Sequence, residues 1–369
     1  MSKVEWKKLG EISEITIGEF VHKDKQNPKA KYPVYNGGIA PTGFYDNYNN
    51  NENKIVISAR GATAGFVNKV LCKYWAGNSS YSIDINPLLS SWLFVFYFLK
   101  NCQNRLISDQ QKGGGIPAIS KKQVQDILIP VPSLSEQNRI VGILDTFTAS
   151  IDNLKEQIAL RRKQYEYYRD QLLDLEGKDG IEIKSLKEIV KSYCTGATPK
   201  KGTAEFYDGG TVPWLRTQDV RFNEIYTIDS YVTNEAVEKT GIKWIPANCV
   251  IIAISGATAG RCAINKIPTT TNQHCLNLEI NPKKALYKYV YYCVYNAYDK
   301  MISKKQGVRG DLNSSIILGI KIPVPSIEQQ SRIVSILDTF EESIQNLEDQ
   351  LSQREKQYEY YRNKLLTFE

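Results

Sequence analysis

Residues 129–175 and 322–368 align without a gap, and 29 of the 47 positions are identical. A repeat this close constrains the chain more than its composition does, because whatever one copy builds the other must build again. The shared core reads "IPVPS", "RIV-ILDTF" and "KQYEYYR--LL". Weaker echoes lie upstream: "ARGATAG" at 59–65 against "ISGATAG" at 254–260, "IDINP" at 83–87 against "LEINP" at 278–282, and "VEWKKLGEI" at 4–12 against "IEIKSLKEI" at 181–189. The offset between copies runs from 177 to 195 to 193, so the fronts differ by insertions while the tails do not. The chain is two copies of one unit, each a divergent globular front followed by a preserved tail.

The tail predicts a long helix with a narrow seam. Apolar or aromatic residues recur at Ile140, Leu144, Phe147, Ile151, Leu154, Ile158, then Arg161, Tyr165, Tyr168 and Leu172. The second copy repeats them at Ile333, Leu337, Phe340, Ile344, Leu347, Leu351, Arg354, Tyr358, Tyr361 and Leu365. Steps of four and three over several turns are those of a coiled coil. Arg161 and Arg354 stand where the seam wants an apolar side chain, so each is expected to meet an acid or to mark the register. Ser133 with Glu136, and Ser326 with Gln329, have the spacing of a capping box, and Gly177 and Gly180 suit the far end. The link "DLEGKDG" is too short to carry the chain back along a helix. An antiparallel pair with one globular domain at each end, related by a pseudo-two-fold axis, is therefore expected.

This gives an α+β chain with boundaries at 1–132, 133–176, 177–325 and 326–369. A length of 369 residues agrees with two cores rather than one. "SWLFVFYFL" at 91–99 is half the length of a membrane span and reads as a buried helix. The start "MSKVEWKKLG" carries no signal-peptide run, and seven cysteines without a C-x-x-C pair fit reduced thiols in a cytoplasm. Two histidines, His22 and His274, offer no metal cluster.

Charge divides along the same boundaries. The net +7 hides fronts of +6 and +7 and tails of −2 and −4. A polyanion would be held by the fronts and not along the helices, although a lysine-rich surface also serves solubility. Loop-like stretches at 35–54, 194–210, 213–220, 108–115 and 303–310 carry side chains that pair with base edges. The DNA-contact candidates are Arg60, Gln110, Gln111, Lys112, Thr198, Lys200, Lys201, Arg216, Gln218, Arg261, Lys304, Gln306 and Arg309. The two "GATAG" segments do not continue to G-K-[ST], so they are read as tight turns after the strands "KIVISA" and "CVIIAI", with phosphate contact a secondary role. No Pro-Pro dipeptide, G-x-G-x-x-G loop, H-E-x-x-H or G-x-S-x-G occurs, which argues against covalent chemistry in this chain.

The helix starts "IPVPSLSEQNRIVGILD" and "IPVPSIEQQSRIVSILD", each after a divergent front, resemble the specificity subunits of type I restriction–modification systems. "TGATP" at 195–199, "VPWLRTQDV" at 212–220 and the "GATAG" turns carry the resemblance into the fronts. The first unit has "TIGEFVHKD" at 16–24 where the second has "TGATP". The resemblance implies that each front reads one half of a split site in double-stranded DNA and that the helices set the unread spacer. It also implies two methyltransferase subunits, binding S-adenosylmethionine and modifying adenine N6, and two restriction subunits using ATP and Mg2+. No cofactor is expected in this chain and no membrane partner. Glu166, Tyr167 and Arg169, with Glu359, Tyr360 and Arg362, are the expected docking surface for the methyltransferase. A stand-alone nucleic-acid-modifying enzyme and a coiled-coil adaptor without DNA binding are the competing classes.

Overall fold

The computed structural model describes residues 4–110, 115–303 and 312–368. The chain divides into two compact units, the first made of residues 1–156 and 348–369, the second of residues 157–347. Each unit holds one globular head, the start of the long helix that follows it, and the end of the other long helix. The two helices, Leu134–Leu173 and Ile327–Leu366, have 40 residues each.

Both heads have the same plan. In the first, a four-stranded antiparallel sheet runs in the order Ser13–Ile17, Ser80–Ile85, Lys54–Ser58, Val67–Val70. In the second, Val190–Thr195, Cys275–Ile280, Val250–Ala253 and Cys262–Asn265 repeat that order, and Asn223–Ile225 adds a parallel edge. The runs "KIVIS" and "VIIA" are buried along nearly their whole length, since β-branched residues fill a sheet covered on both faces. One cover is a helix, Trp92–Gln110 in the first head and Tyr287–Asn296 in the second. Phe94 to Leu99 are buried, as the apolar window at 91–99 predicts. A smaller sheet holds Gly43–Tyr45, Tyr32–Tyr35 and Trp75–Ala76, matched by Tyr231–Val232, Val212–Leu215, Thr269–Thr271 and Trp244–Ile245.

Two devices fasten each head to its helix start. The first is a two-stranded clasp: Glu5–Lys8 pairs with Leu128–Val131, and Glu182–Ser185 with Lys321–Val324. Pro130 and Pro323 take places in a two-stranded ribbon, where a missing donor is tolerated. The second is a buried glutamine at the same repeat position in both copies. Gln137 Oε1 accepts from Ser90 Oγ at 2.8 Å and Ser91 N at 2.7 Å, while its Nε2 donates to Pro132 O at 2.9 Å. Gln330 Oε1 accepts from Leu286 N at 2.8 Å and its Nε2 donates to Pro325 O at 2.8 Å. Both side chains are wholly shielded from solvent.

The capping box is half realised. Ser133 Oγ accepts from Glu136 N at 3.3 Å and Ser326 Oγ from Gln329 N at 3.2 Å. The Glu136 carboxylate turns to Arg139 instead, with two 2.7 Å bonds, because a charged fork outbids a lone backbone N–H. The first helix stops at Leu173, and the turn beyond it has Gly177 and Gly180 at positive φ.

Within each unit the start of one long helix packs on the end of the other, so the pair runs antiparallel. In the first unit Ile140 and Leu144 are buried in the same cluster as Leu366, with Tyr358 and Leu365 against it. In the second, Ile333 and Leu337 are buried with Tyr165 and Leu173. Ile151 and Ile158 are buried, while Phe147, Leu154, Leu172, Phe340, Ile344, Leu347 and Leu351 are half-buried. Tyr168 and Tyr361 depart from a buried seam: they are 47% and 41% exposed and stack flat on Phe340 and Phe147. Arg161 and Arg354 lie over those same rings, 5.9 and 5.7 Å from the centroids. A ring face thus takes the role expected of an acid.

The units differ in charge at a half-buried place under the head helix. In the first, Tyr97 donates to Asp145, with Thr148 Oγ1 3.5 Å away. In the second, Thr148 is replaced by Glu341. Its Oε1 accepts from Tyr165 Oη at 2.9 Å and its Oε2 from Tyr292 Oη at 3.0 Å. Asp338 accepts from Tyr292 at 2.6 Å and pairs with Lys288 at 3.0 Å. Burial raises the Glu341 pKa above its ordinary 4.5, the Asp338 charge adds to the rise, and the tyrosine hydroxyls and Lys288 oppose it.

Two predictions follow from these joints. Replacing Gln330 with Ala leaves the Leu286 N–H and the Pro325 carbonyl unpaired and should cost the second unit about 1–3 kcal/mol in denaturant unfolding. A folded-state pKa raised above the unfolded one means that Glu341 stabilises most below the unfolded value of 4.5 and that this contribution is lost as pH rises through the folded value. The Glu341→Gln variant should therefore gain stability relative to wild type as pH rises from 4.5. Hydrogen exchange of the Tyr287–Asn296 amides across that range measures it.

Candidate nucleic-acid interface

The central strands of each head have one end at the joint and one end at a cluster of loops. In the first head, Ser80–Ile85 leads into Asn86, whose N–H donates to Ile12 O at 2.9 Å, and on to the Ser90 and Ser91 bonds with Gln137. Its other end, about 20 Å away for six extended residues, starts among the loops. The second head repeats this with Cys275–Ile280, Asn281 and Leu286.

Backbone hydrogen bonds at the loop end coincide between heads. Ala59 N donates to Ser79 O at 2.8 Å, and Ile254 N donates to His274 O at 2.9 Å. Ile119 N reaches Ala59 O at 2.9 Å, and Leu312 N reaches Ile254 O at 2.7 Å. Glu19 N donates to Ala76 O at 2.8 Å, and Ala197 N to Thr271 O at 3.1 Å. The segments "TIGEF" and "CTGAT" therefore leave their strands along the same path, although the first lacks the T-P pair. Gly18 and Gly196 permit this approach. A Cβ at Gly18 would lie 2.2 Å from Ala76 O, and one at Gly196 1.8 Å from Thr271 O. The "GATAG" turns use the freedom of glycine too, with Gly61, Gly65, Gly256 and Gly260 at positive φ.

Several candidates gather here. Arg60 is exposed and directly follows Ala59, in a bridge with Ala118. Exposed Ile39 and Ile116 flank the same loops: Gly38 O accepts from Ser58 Oγ at 2.9 Å, and Gly61 N donates to Pro117 O at 2.9 Å. In the second head, Thr198, Lys200 and Lys201 are exposed on the segment that follows Gly196. Arg216 is half-buried, its N–H held by Asp219 Oδ2 at 2.8 Å, and its Nε is buried without a hydrogen-bond partner. Gln218 is exposed beside it, and its carbonyl accepts from Arg221 Nε at 2.7 Å. Leu215 O accepts from Asn272 N at 2.9 Å, which ties this loop to the turn entering Cys275–Ile280. Arg261 is half-buried at the exit of the second "GATAG" turn, its N–H on Thr258 O at 3.0 Å. Gln110 ends the helix Trp92–Gln110. Gln111, Lys112, Lys304, Gln306 and Arg309 lie outside the described residues.

The expected docking residues separate into two groups. Glu166, Tyr167, Glu359 and Tyr360 are exposed. Arg169 and Arg362 are not free surface. The Arg169 guanidinium lies 5.8 Å from the Tyr165 ring centroid and 5.2 Å from that of Tyr295, and Arg362 lies 5.5 Å from that of Tyr358. A planar cation beside a tyrosine one turn away gains more by covering the ring than by facing water. Sequence reading missed Gln137 and Gln330, although both are identical repeat positions. It also missed the pairing of Gly18 with Gly196, which only the close approach reveals.

Among the described residues no helix is long and apolar enough to cross a membrane, and no group of three or more potential ligands could hold a metal ion. The chain matches the sequence profile of the type I restriction modification DNA specificity domain twice, over residues 1–161 and 178–354. It is 32% identical to the EcoR124I/EcoR124II specificity subunit of Escherichia coli, with 99% of this chain and 95% of that one aligned. It is 27% identical to a putative type I specificity subunit of Haemophilus influenzae, with 100% and 96% aligned. Its fold resembles that of the type I S subunit from M. genitalium, with a TM-score of 0.69 at 20% identity and coverage of 100% and 98%. The HsdS subunit from Thermoanaerobacter tengcongensis aligns at a TM-score of 0.52 and 15% identity, covering 99% and 97%.

The two close-approach glycines are testable against a third. Gly196→Ala drives a Cβ into the Thr271 carbonyl and should destabilise the second unit by about 1–3 kcal/mol or more. Gly142→Ala, in the open interior of a long helix with nothing near its Cβ, should stabilise by up to about 1 kcal/mol. Thermal melts of the two variants should move in opposite directions.

Proposed function

We propose, from the premise that this chain belongs to the type I restriction–modification DNA specificity family, that it is the non-catalytic subunit that chooses the DNA sequence on which its complex acts. Each head reads one half of a split site in double-stranded DNA through its loop end, and the paired helices set the unread spacer. Two methyltransferase subunits, carrying S-adenosylmethionine, dock on the preserved helices, and two restriction subunits using ATP and Mg2+ complete the cleaving complex.

The carrying observation is where the two units agree and where they differ. They agree at the clasp, the buried glutamine and the helix seam, and they differ in the side chains of the loop end. Identical partners require identical surfaces, while two different half-sites require different ones. The charge division supports the same reading, because the positive fronts suit a polyanion and the negative tails do not. Exposed Tyr167 and Tyr360, one on each helix, are the aromatic anchors that a docking surface favours.

Methylome sequencing tests this directly. A strain carrying the chain should show an adenine-methylated motif in two parts with a fixed gap, and deletion of the chain should abolish it. Exchanging residues 1–132 for the corresponding front of another family member should change one half of the motif and leave the other half and the gap intact. Persistence of every methylated motif after deletion would remove the reading.

A further inference from the structure

The turn that enters each central strand at the loop end is a shared frame carrying different side chains. Ser80 N donates to Gly77 O at 3.0 Å in the first head, and Cys275 N donates to Asn272 O at 3.2 Å in the second. The carbonyls of Ser79 and His274 accept equivalent bonds from Ala59 and Ile254. Residues on either side are buried: Ala76, Gly77 and Ser80 in one head, Thr271, Asn272 and Cys275 in the other. Between them stand Asn78, exposed, and Ser79, half-buried, against Gln273 and His274, both exposed.

The second tip is also held. The Asn272 carboxamide oxygen accepts from His274 N at 3.1 Å, and Asn272 N is tied to Leu215 O. Gln273 Nε2 and His274 Nε2 lie 3.3 Å apart, so one polar pair projects from a fixed backbone. The first tip is held in the same way, Ser79 N donating to the Asn36 carboxamide oxygen at 3.0 Å. The frame's bonds are therefore made by backbone atoms and by Asn36 or Asn272, and not by the side chains of Asn78, Ser79, Gln273 or His274. Side chains that take no part in the frame, on a turn held by hydrogen bonds, suit direct reading of bases. An Asn or Gln carboxamide offers a donor and an acceptor side by side, which matches adenine, and imidazole and hydroxyl groups add single contacts.

We propose that Asn78–Ser79 and Gln273–His274 are specificity-determining residues, each tip reading base edges in the half-site bound by its own head. The proposal rests on the reading of the heads as DNA-recognition domains. It adds which side chains distinguish one half-site from the other, and it places Arg60 and Arg216, each adjacent to a residue bonded to its head's tip, as neighbours of the reading group.

The test uses the complete methyltransferase complex carrying the full-length chain, with the methylome of its host as readout. The double variant Gln273→Ala/His274→Ala should keep the gap and one half-site unchanged while losing discrimination at one or two positions of the other half, by roughly tenfold to a hundredfold. Asn78→Ala/Ser79→Ala should relax the opposite half-site. Gln273→Asn/His274→Ser, which installs the first tip on the second head, should shift base preference there rather than only relax it. An unchanged motif in all three variants, or a uniform fall in methylation with the motif intact, overturns the proposal while the wild-type bipartite motif upholds the parent reading. Absence of any bipartite motif with the wild-type chain overturns both.

Discussion

Each unit depends on a buried amide. Gln137 and Gln330 sit at the first turn of a long helix, where backbone groups have no helical partner, and each satisfies groups from two sides at once. One side is the prolyl carbonyl just before the helix, the other the chain entering the head helix. A carboxamide can do this because it carries donor and acceptor on one rigid plane, and in full burial neither may go unpaired. The clasp strands add a second attachment, so the head cannot turn about a single bond. The loop end, a strand's length away, takes its direction from this joint.

With the frame set by backbone bonds, the loop end is free to differ. The carbonyls that receive Gly18 and Gly196 segments, the "GATAG" turns and the turn before each central strand are bonded alike in both heads. Their side chains are not alike: an exposed Arg60 and Ile39 in one, Arg216, Gln218 and a Gln–His pair in the other. Separation of a rigid backbone from variable side chains lets one architecture present two surfaces. The Glu341 network is the counterpart inside the second unit, a half-buried acid where the first unit has Thr148, held by two tyrosines beside the Asp338–Lys288 pair.

Tyrosine accounts for much of the helix ends. Tyr165 is buried with its hydroxyl on an acid, Tyr168 and Tyr361 lie flat on phenylalanine with one face in water, and Tyr167 and Tyr360 stand exposed. A single residue type fills all three roles because its ring is apolar and its rim is polar. The arginines follow from this, as Arg161, Arg354, Arg169 and Arg362 all lie over rings.

The duplication, the two long helices, their antiparallel sense and the buried window at 91–99 were legible in the sequence, because periodicity and a short linker admit few arrangements. So was the charge division, which is a count. The half-made capping boxes, the turning of Arg169 and Arg362 onto tyrosine rings and the exposure of Tyr168 were not, since each turns on which of two nearby partners a side chain chooses. Gln137 and Gln330 were visible as identical letters, yet their work depends on Ser90 and Leu286, residues more than 40 positions away. The pairing of Gly18 with Gly196 is hidden in a different way: only the fold brings Ala76 and Thr271 within a Cβ's reach, so no local pattern records it. The sequence alone determined what is repeated, because repetition is written in letters; the tertiary structure decided which backbone atoms coincide and which side chains are left free above them, because that depends on contacts between distant segments.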